Sequence, residues 1–370
     1  MTMLDLLLDP IVQAILKIVA FVLVFVLMVG TVMTLMERKW MSAVQDRIGP
    51  NRANLPIFGN IRARGAFHIL ADGLKSIFKE DTVPEGADRV LFTIAPFFVF
   101  ISAVVIWAVI PFAGPIGGFT FQITDLNPGL LFIFAITSLG VYGAVLGGWA
   151  SNNKFALLGA ARATSQMLSY EVFLGLSLMG VFMVHGTLQV GRIVELQNEY
   201  WFGDLIPKWG LFTQPVGLVI FFTAMLAEAK RLPFDAPEGE SEIIAGYFLE
   251  YSGMRYAAFM LAEYIAIVGA SALTTTLFLG GYHVPWLHGD GFHLLGGFLA
   301  LPQWAVTLLQ LGAFATKVIV LCWLIIIIRW TVPRFRFDQI MDLGWKKMLP
   351  VTLANVVVTA LVLLVWDWVG

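Results

Sequence analysis

Six carboxylates crowd the stretch from Ala227 to Gly253: Glu228, Asp235, Glu238, Glu240, Glu242 and Glu250, offset only by Lys230 and Arg231. Apolar runs flank the stretch on both sides, which sets these acids against hydrocarbon. Desolvating a carboxylate raises its pKa or demands a partner. Two further acids, Glu171 in LSYEVFLGL and Glu263 in FMLAEYIAI, stand inside apolar runs. A charge at the centre of a membrane helix costs about 2.5–3.5 kcal/mol on insertion scales, and ionisable groups held there are functional candidates. Several acids near one another share protons and titrate as a coupled set. The chemistry this suits is proton loading and release, which needs carboxyls poised near neutrality.

Two plainer readings compete with a relay. Glu171 and Glu263 alone would serve as interhelical hydrogen-bond partners, for instance with Tyr170 and Tyr264, and an acidic loop is usually solvated. Against them stands the number of acids, and their interleaving with Phe234, Ile243, Ile244, Tyr247 and Phe248, which favour burial. Pro233, Pro237 and Gly239 break any helix, so PFDAPEGE reads as irregular backbone. At membrane depth such backbone is tolerated only where it is buried in protein or lines a cavity. Glu238 and Glu242 are four apart and would share a face of a helix starting near Pro237.

The remaining polar groups are less pointed. Glu37, Arg38 and Lys39 end the first apolar run; the cations read as a membrane anchor, which leaves Glu37 unexplained. Arg334 and Arg336 read as anchors or partner contacts, and Lys17 and Lys317 as side chains that snorkel or pair with acids. One cysteine, Cys322, excludes a disulfide and an all-cysteine iron–sulfur cluster within the chain. The five histidines show no helical metal-ligand spacing, so no metal site is assigned. No phosphate-binding glycine loop is present, and nothing suggests a nucleic-acid partner.

The elements that position these groups are membrane helices. Of 370 residues, 59% are hydrophobic and 13% charged, too few charges for a water-soluble surface. The mean hydropathy is +0.83. The expected fold is an all-α polytopic membrane protein, a single integral-membrane domain of about eight spans. The spans are read near 11–36, 90–112, 129–150, 166–186, 214–229, 255–280, 302–330 and 349–369. Asp5, Asp9 and the MERKW that closes the first run are unlike a cleaved leader, so that run reads as a retained span. Loops 1, 3, 5 and 7 carry nearly all of the 23 lysines and arginines, while the opposite loops hold only Arg192 and Lys208. The positive-inside rule then puts the odd loops in the cytoplasm and both termini on the periplasmic side. Loop 1, residues 37–89, contains GAFHILADGLKSIF, an amphipathic helix suited to the membrane interface. The acidic loop is 227–253.

Long motifs in fixed order carry a resemblance. MERKWMSAVQDRIGPNR, ADGLKSIFKED, SNNKFALLGAARATSQMLSYEVFLGLSLMGV, PFDAPEGESE with EYSGMRYAAFMLAEYI, and PRFRFDQIMDLGWKKMLPVTL resemble the H-type membrane subunit of bacterial NADH:quinone oxidoreductase, respiratory complex I. The resemblance implies a subunit that joins a soluble redox arm to the membrane arm and floors the quinone chamber. On the matching motifs, Glu37, Arg38, Arg47 and Asp72 would line the quinone path. Glu171, Glu228, Glu238, Glu240, Glu242 and Glu263 would form the acidic chain that couples quinone reduction to proton translocation. Quinone is then a substrate and nothing is bound covalently; FMN and iron–sulfur clusters belong to partner subunits. The implied partners are soluble quinone-site subunits on the cytoplasmic side, small and antiporter-like membrane subunits laterally, and lipid. The implied location is the bacterial inner membrane.

Three rivals stay open on the residues. A proton-coupled secondary transporter usually shows inverted repeats, and none is visible. A structural anchor would explain the spans but not the acids. A ferredoxin-, deazaflavin- or hydrogenase-linked relative would differ in the electron donor, which binds elsewhere.

Overall fold

A computed structural model describes residues 10–54, 63–116, 119–201, 206–294 and 297–369. Nine helices organise them. α1 spans Ile11–Val44, with a π-helical stretch at Ile18–Val26. α2 is the interfacial helix Phe67–Phe78, followed by α3 (Arg89–Val109), α4 (Gly129–Ala150) and α5 (Lys154–His185). α6 is Pro215–Glu228, α7 Gly253–Phe278, α8 Gln303–Thr331 and α9 Phe337–Trp368. The protein is an all-α polytopic membrane protein: among the described residues seven helices are long and apolar enough to cross a membrane, and α6 is a shorter apolar one. Among the described residues, strand forms an antiparallel pair, Tyr200–Trp201 with Ile206–Pro207, and a three-stranded meander in which Phe292 faces Leu299, beside one isolated bridge between Ile116 and Phe119.

α7 is buried along most of its length and forms the centre of the bundle, whereas α9 is largely exposed. The core around it is aromatic, with Trp107, Tyr170, Tyr247, Phe92, Phe173 and Phe221 fully buried. α6 has 14 residues, about 21 Å of helix, short of the ~30 Å hydrocarbon thickness. Residues 229–252 follow it as turns broken by short helical pieces, Glu240–Ile243 and Gly246–Phe248, mostly buried but exposed at Glu242 and Ile244.

Several helices run past the apolar segments that mark them in the sequence. α1 continues from Met36 to Val44, past the apolar run. α5 starts at Lys154, not near 166, because the Asn153 side chain accepts from Phe155 N and caps it. Its extra turns cover the acidic loop: a Cβ on Gly159 would sit 2.6 Å from Gly246 Cα. α9 starts at Phe337 and passes through a π-helical turn, Leu343–Met348.

The acidic loop departs from expectation in one respect. No helix starts at Pro237; the helical part is one turn, Glu240–Ile243. Ile244 and Gly246 then take φ of +66° and +61°, folding the chain back on itself. A Cβ at Gly246 would lie 2.0 Å from Pro237 O, so the reversal requires glycine there. Glu238 and Glu242 therefore do not share a helix face: Glu238 is half-buried on the protein side and Glu242 is exposed.

Candidate functional site: a buried line of ionisable groups

The line begins at a cavity of about 500 Å³ between α1, α2 and the start of α7, lined by Thr34, Arg38, Asp72, Met260 and Tyr264. Arg38 and Asp72 form an ion pair within it. Arg47 does not reach this cavity; it lines a separate cleft beyond Arg38.

Tyr264 connects the cavity to the interior. Its hydroxyl donates to Glu37, which α1 carries inward and which is 6% exposed. Glu37 also accepts from Arg329 at the end of α8. Arg231 lies 3.6 Å from Glu37 and 3.7 Å from Glu263, with its guanidinium 4.5 Å from the Tyr264 ring. One buried cation thus spans an acid on α1 and an acid on α7. Burial opposes the charge of Arg231, but Glu37 and Glu263 outweigh it and raise the group above its ordinary value.

Past Arg231 the groups are tighter. Lys230 Nζ donates to Tyr247 Oη at 2.6 Å, and Tyr247 donates to Glu263 at 3.1 Å. Lys230 takes a left-handed φ of +53°, a conformation that costs a side-chain-bearing residue about 1–2 kcal/mol, and its side chain is turned into the protein. Glu238 lies close enough to Glu263 for the two acids to influence each other's charge, and its Oε1 is a buried atom with no hydrogen bond among the described residues. Burial raises Glu238 well above the ordinary carboxylate range, and the charges of Glu263 and Asp235 push it further. Burial likewise raises Asp235 despite its 2.6 Å bond from Arg334. Gln166, fully buried on α5, fixes both ends of the break: its amide donates to Ala227 O and Phe234 O, each at 2.8 Å.

The line then passes two cavities. A small one, about 60 Å³, has largely apolar walls into which Glu228, Lys230, Glu263, Ser102 and Thr137 bring polar groups, partners that an ordered water needs. The other, about 470 Å³, lies between α4, α5, α6 and α7 and is apolar except for Thr137, Glu171 and Glu228. Glu171 Oε1 and Glu228 Oε2 are buried atoms with no hydrogen bond among the described residues.

The candidate residues therefore separate. Glu37, Glu263, Glu238, Glu228 and Glu171 fall on one path, with Arg38 and Asp72 at its mouth. Glu242 lies off it, bound to Arg162 at 2.5 Å on the surface, and Glu250 accepts from Asn153 at 2.6 Å. The Glu240 side chain is outside the described residues. Sequence reasoning gave no site role to Tyr247 or Arg329, counted Asp235 only among the crowded acids, and read Lys230 and Arg231 only as the charges offsetting them. Arg329 in particular looks like any positive-inside anchor, and only tertiary contact distinguishes it. Among the described residues, Lys17 and Lys317 pair with no acid. Lys17 donates to the Thr120 hydroxyl at 2.9 Å, and Lys317 donates to Leu279 O, Gly281 O and His283 O at 2.7–3.0 Å. Those carbonyls follow the end of α7, where a helix exposes acceptors that a lysine can satisfy.

Residues 16–360 match the family model described as NADH dehydrogenase. The first H-type subunit of the Cytophaga hutchinsonii NADH-quinone oxidoreductase is 42% identical over 353 residues, covering 94% of this chain and 96% of that protein. Its Rickettsia bellii counterpart, again an H-type subunit, is 42% identical over 359 residues, covering 97% of this chain and 96% of its own. Subunit 8 of the Rhodothermus marinus NADH-quinone oxidoreductase is 40% identical over 346 residues, covering 93% of this chain and 95% of that one. Spanning helices, an acidic break and near-complete matches agree: the chain belongs to the NADH dehydrogenase family, among the H-type membrane subunits of the NADH-quinone oxidoreductases.

Proposed function

We propose that this subunit forms the membrane-side entrance to the quinone chamber and carries the charge rearrangement of quinone reduction inward, along Glu37, Arg231, Glu263, Glu238, Glu228 and Glu171, toward proton-translocating neighbours. The observation that carries the reading is the double role of Tyr264: it lines the cavity at the mouth and donates to the first buried acid. Electron transfer to quinone changes the charge and proton demand beside that cavity. Groups about 4 Å apart feel such a change by about 4 kcal/mol at an effective dielectric of about 20. Glu37, Arg231 and Glu263 are spaced closely enough to pass it on. Glu238 and Glu263, each charge acting on the other, respond as a coupled pair.

Loops 1, 3, 5 and 7 face the cytoplasm in this reading, with the termini on the periplasmic side of the bacterial inner membrane. Soluble partners that carry the flavin and iron–sulfur centres meet loop 1. Membrane subunits cover the apolar cavity, where Glu171 and Glu228 require polar company that lipid does not supply. The test is the assembled complex in sealed vesicles with Glu228→Gln or Glu263→Gln. Relay action predicts that acidification of the vesicle interior driven by quinone reduction is lost, while NADH oxidation by an artificial acceptor on the soluble arm persists. A mere membrane tether predicts full pumping.

A further inference from the structure

The loop between α7 and α8 folds on itself as the strands Leu287–His288, Gly291–Leu294 and Gly297–Ala300. Leu287 faces Phe292 and His288 faces Gly291, while His293 N donates to Trp286 O at 2.9 Å. In that register His288 and His293 are diagonal neighbours on one face, within reach of each other's rings. The rings do meet: their centroids are 4.9 Å apart and their planes cross at 83°. Along the chain the two histidines have no metal-ligand spacing, and only the hairpin brings them together.

Two imidazoles on one tetrahedral ion, with metal–nitrogen bonds of about 2.0–2.1 Å, hold their centroids about 5.2 Å apart. The pair is already near that geometry, and its surroundings hold it there. The Tyr200 ring stacks on His288 with centroids 5.8 Å apart, and the Tyr200 hydroxyl accepts from Trp286 N at 2.6 Å. Gly291, at φ +140°, lies so near the third strand that a Cβ would sit 2.0 Å from Leu299 O, which leaves the hairpin little room to rearrange. His288 Nδ1 is a buried atom with no hydrogen bond among the described residues, and such an atom calls for an ion or a water. His293 is exposed, as are Gly289 and Asp290 at the turn, so an ion can enter from solvent. Among the described residues no group of three His, Cys, Asp or Glu is placed to hold a metal, which leaves the other coordination positions to water. Imidazole ligands suit Zn²⁺, Cu²⁺ or Ni²⁺, whereas Mg²⁺ and Ca²⁺ require oxygen.

We propose that His288 and His293 form a binding site for a divalent transition-metal ion of the Zn²⁺ class, in the loop that follows α7 and apart from the acidic line. An ion there clips together the loop whose Gly281 and His283 carbonyls receive Lys317 of α8. The probe is Zn²⁺ alone, added to the assembled complex before histidine acylation by diethyl pyrocarbonate, which is read residue by residue by peptide mass spectrometry. Micromolar Zn²⁺ should slow modification of His293 several-fold and leave unchanged that of His68, whose Nε2 accepts from Ala53 N. Mg²⁺ at the same concentration should protect neither. His288→Gln should abolish the protection of His293. Zn²⁺ should also slow amide hydrogen exchange across Leu287–His293, and His293→Gln, a change at an exposed position, should remove that effect. Protection of His293 that survives in His288→Gln would show one imidazole binding alone and overturn the pair. Equal protection by Mg²⁺, no protection by Zn²⁺, or slowed exchange that persists in His293→Gln would overturn it as well.

Discussion

Replacing Arg231 with methionine removes the one cation that faces both Glu37 and Glu263, at 3.6 and 3.7 Å. Each contact is worth about 4.5 kcal/mol at an effective dielectric of about 20, and most of this offsets the cost of burying the charges. Deleting one partner of a buried ion pair leaves the rest uncompensated and costs about 3–5 kcal/mol. Glu37 keeps Arg329 and Glu263 keeps Tyr247, so the expected loss is about 3 kcal/mol, at the lower end of that range. Cys322 offers a local reporter. It is the sole cysteine, it is buried, and it sits on α8 against Ser271 of α7, the two helices that the Arg231 network ties to α1. Maleimide labelling of its peptide, followed by mass spectrometry in the intact complex, reads how often this chain opens. Where opening is in rapid equilibrium, ~3 kcal/mol makes labelling about 100-fold faster. Glu242→Gln, which breaks only the exposed pair with Arg162, should cost under about 1 kcal/mol and speed labelling by less than about fivefold. In the double variant with Glu263→Gln, the losses should add to less than their sum. Labelling of the Arg231→Met complex within about twofold of wild type would refute the reasoning.

Other outcomes follow from the same geometry. Glu238 has its folded pKa raised, so the fold binds a proton that the unfolded chain releases; its contribution to stability falls as pH rises above the unfolded value and levels off only at the folded one. Glu238→Gln removes that slope, and the stability difference between variant and parent should grow by up to about 1.4 kcal/mol per pH unit across that window, read from Cys322 labelling against pH. Gln166→Leu leaves the carbonyl of Phe234 without its donor and that of Ala227 with only the Lys230 N–H, and should destabilise by about 1–3 kcal/mol by the same reporter. Tyr264→Phe keeps the ring under Arg231 but loses the bond to Glu37; it should lower protons pumped per quinone reduced more than it lowers quinone reduction.

What could be read from the sequence was whatever depends on residue type and local period. Runs of hydrocarbon side chains located the helices, and Glu171, Glu228 and Glu263 stood out because carboxylates are costly in such runs. Pro233, Pro237 and Gly239 marked the break. The pairing of those acids was not legible, since it depends on which helices meet. Arg329 and Arg38 have the same local surroundings of apolar run and basic flank, yet one holds a buried acid and the other a half-exposed one. The opposite fates of Glu238 and Glu242 hinge on the reversal at Gly246, whose need for a left-handed φ comes from the approach of Pro237. Lys230 likewise reads as a solvated end-of-helix cation until its backbone turns it toward Tyr247.

The central claim is that carboxyls inside this protein change protonation or hydrogen bonding when quinone is reduced outside it. Infrared difference spectra of the assembled complex, taken between oxidised and reduced quinone and compared among wild type, Glu238→Gln and Glu263→Gln, address it most directly. The account predicts a carboxyl C=O band in the wild type that disappears or shifts in both variants. A wild-type spectrum without such a band, or a band unchanged by either substitution, would contradict it.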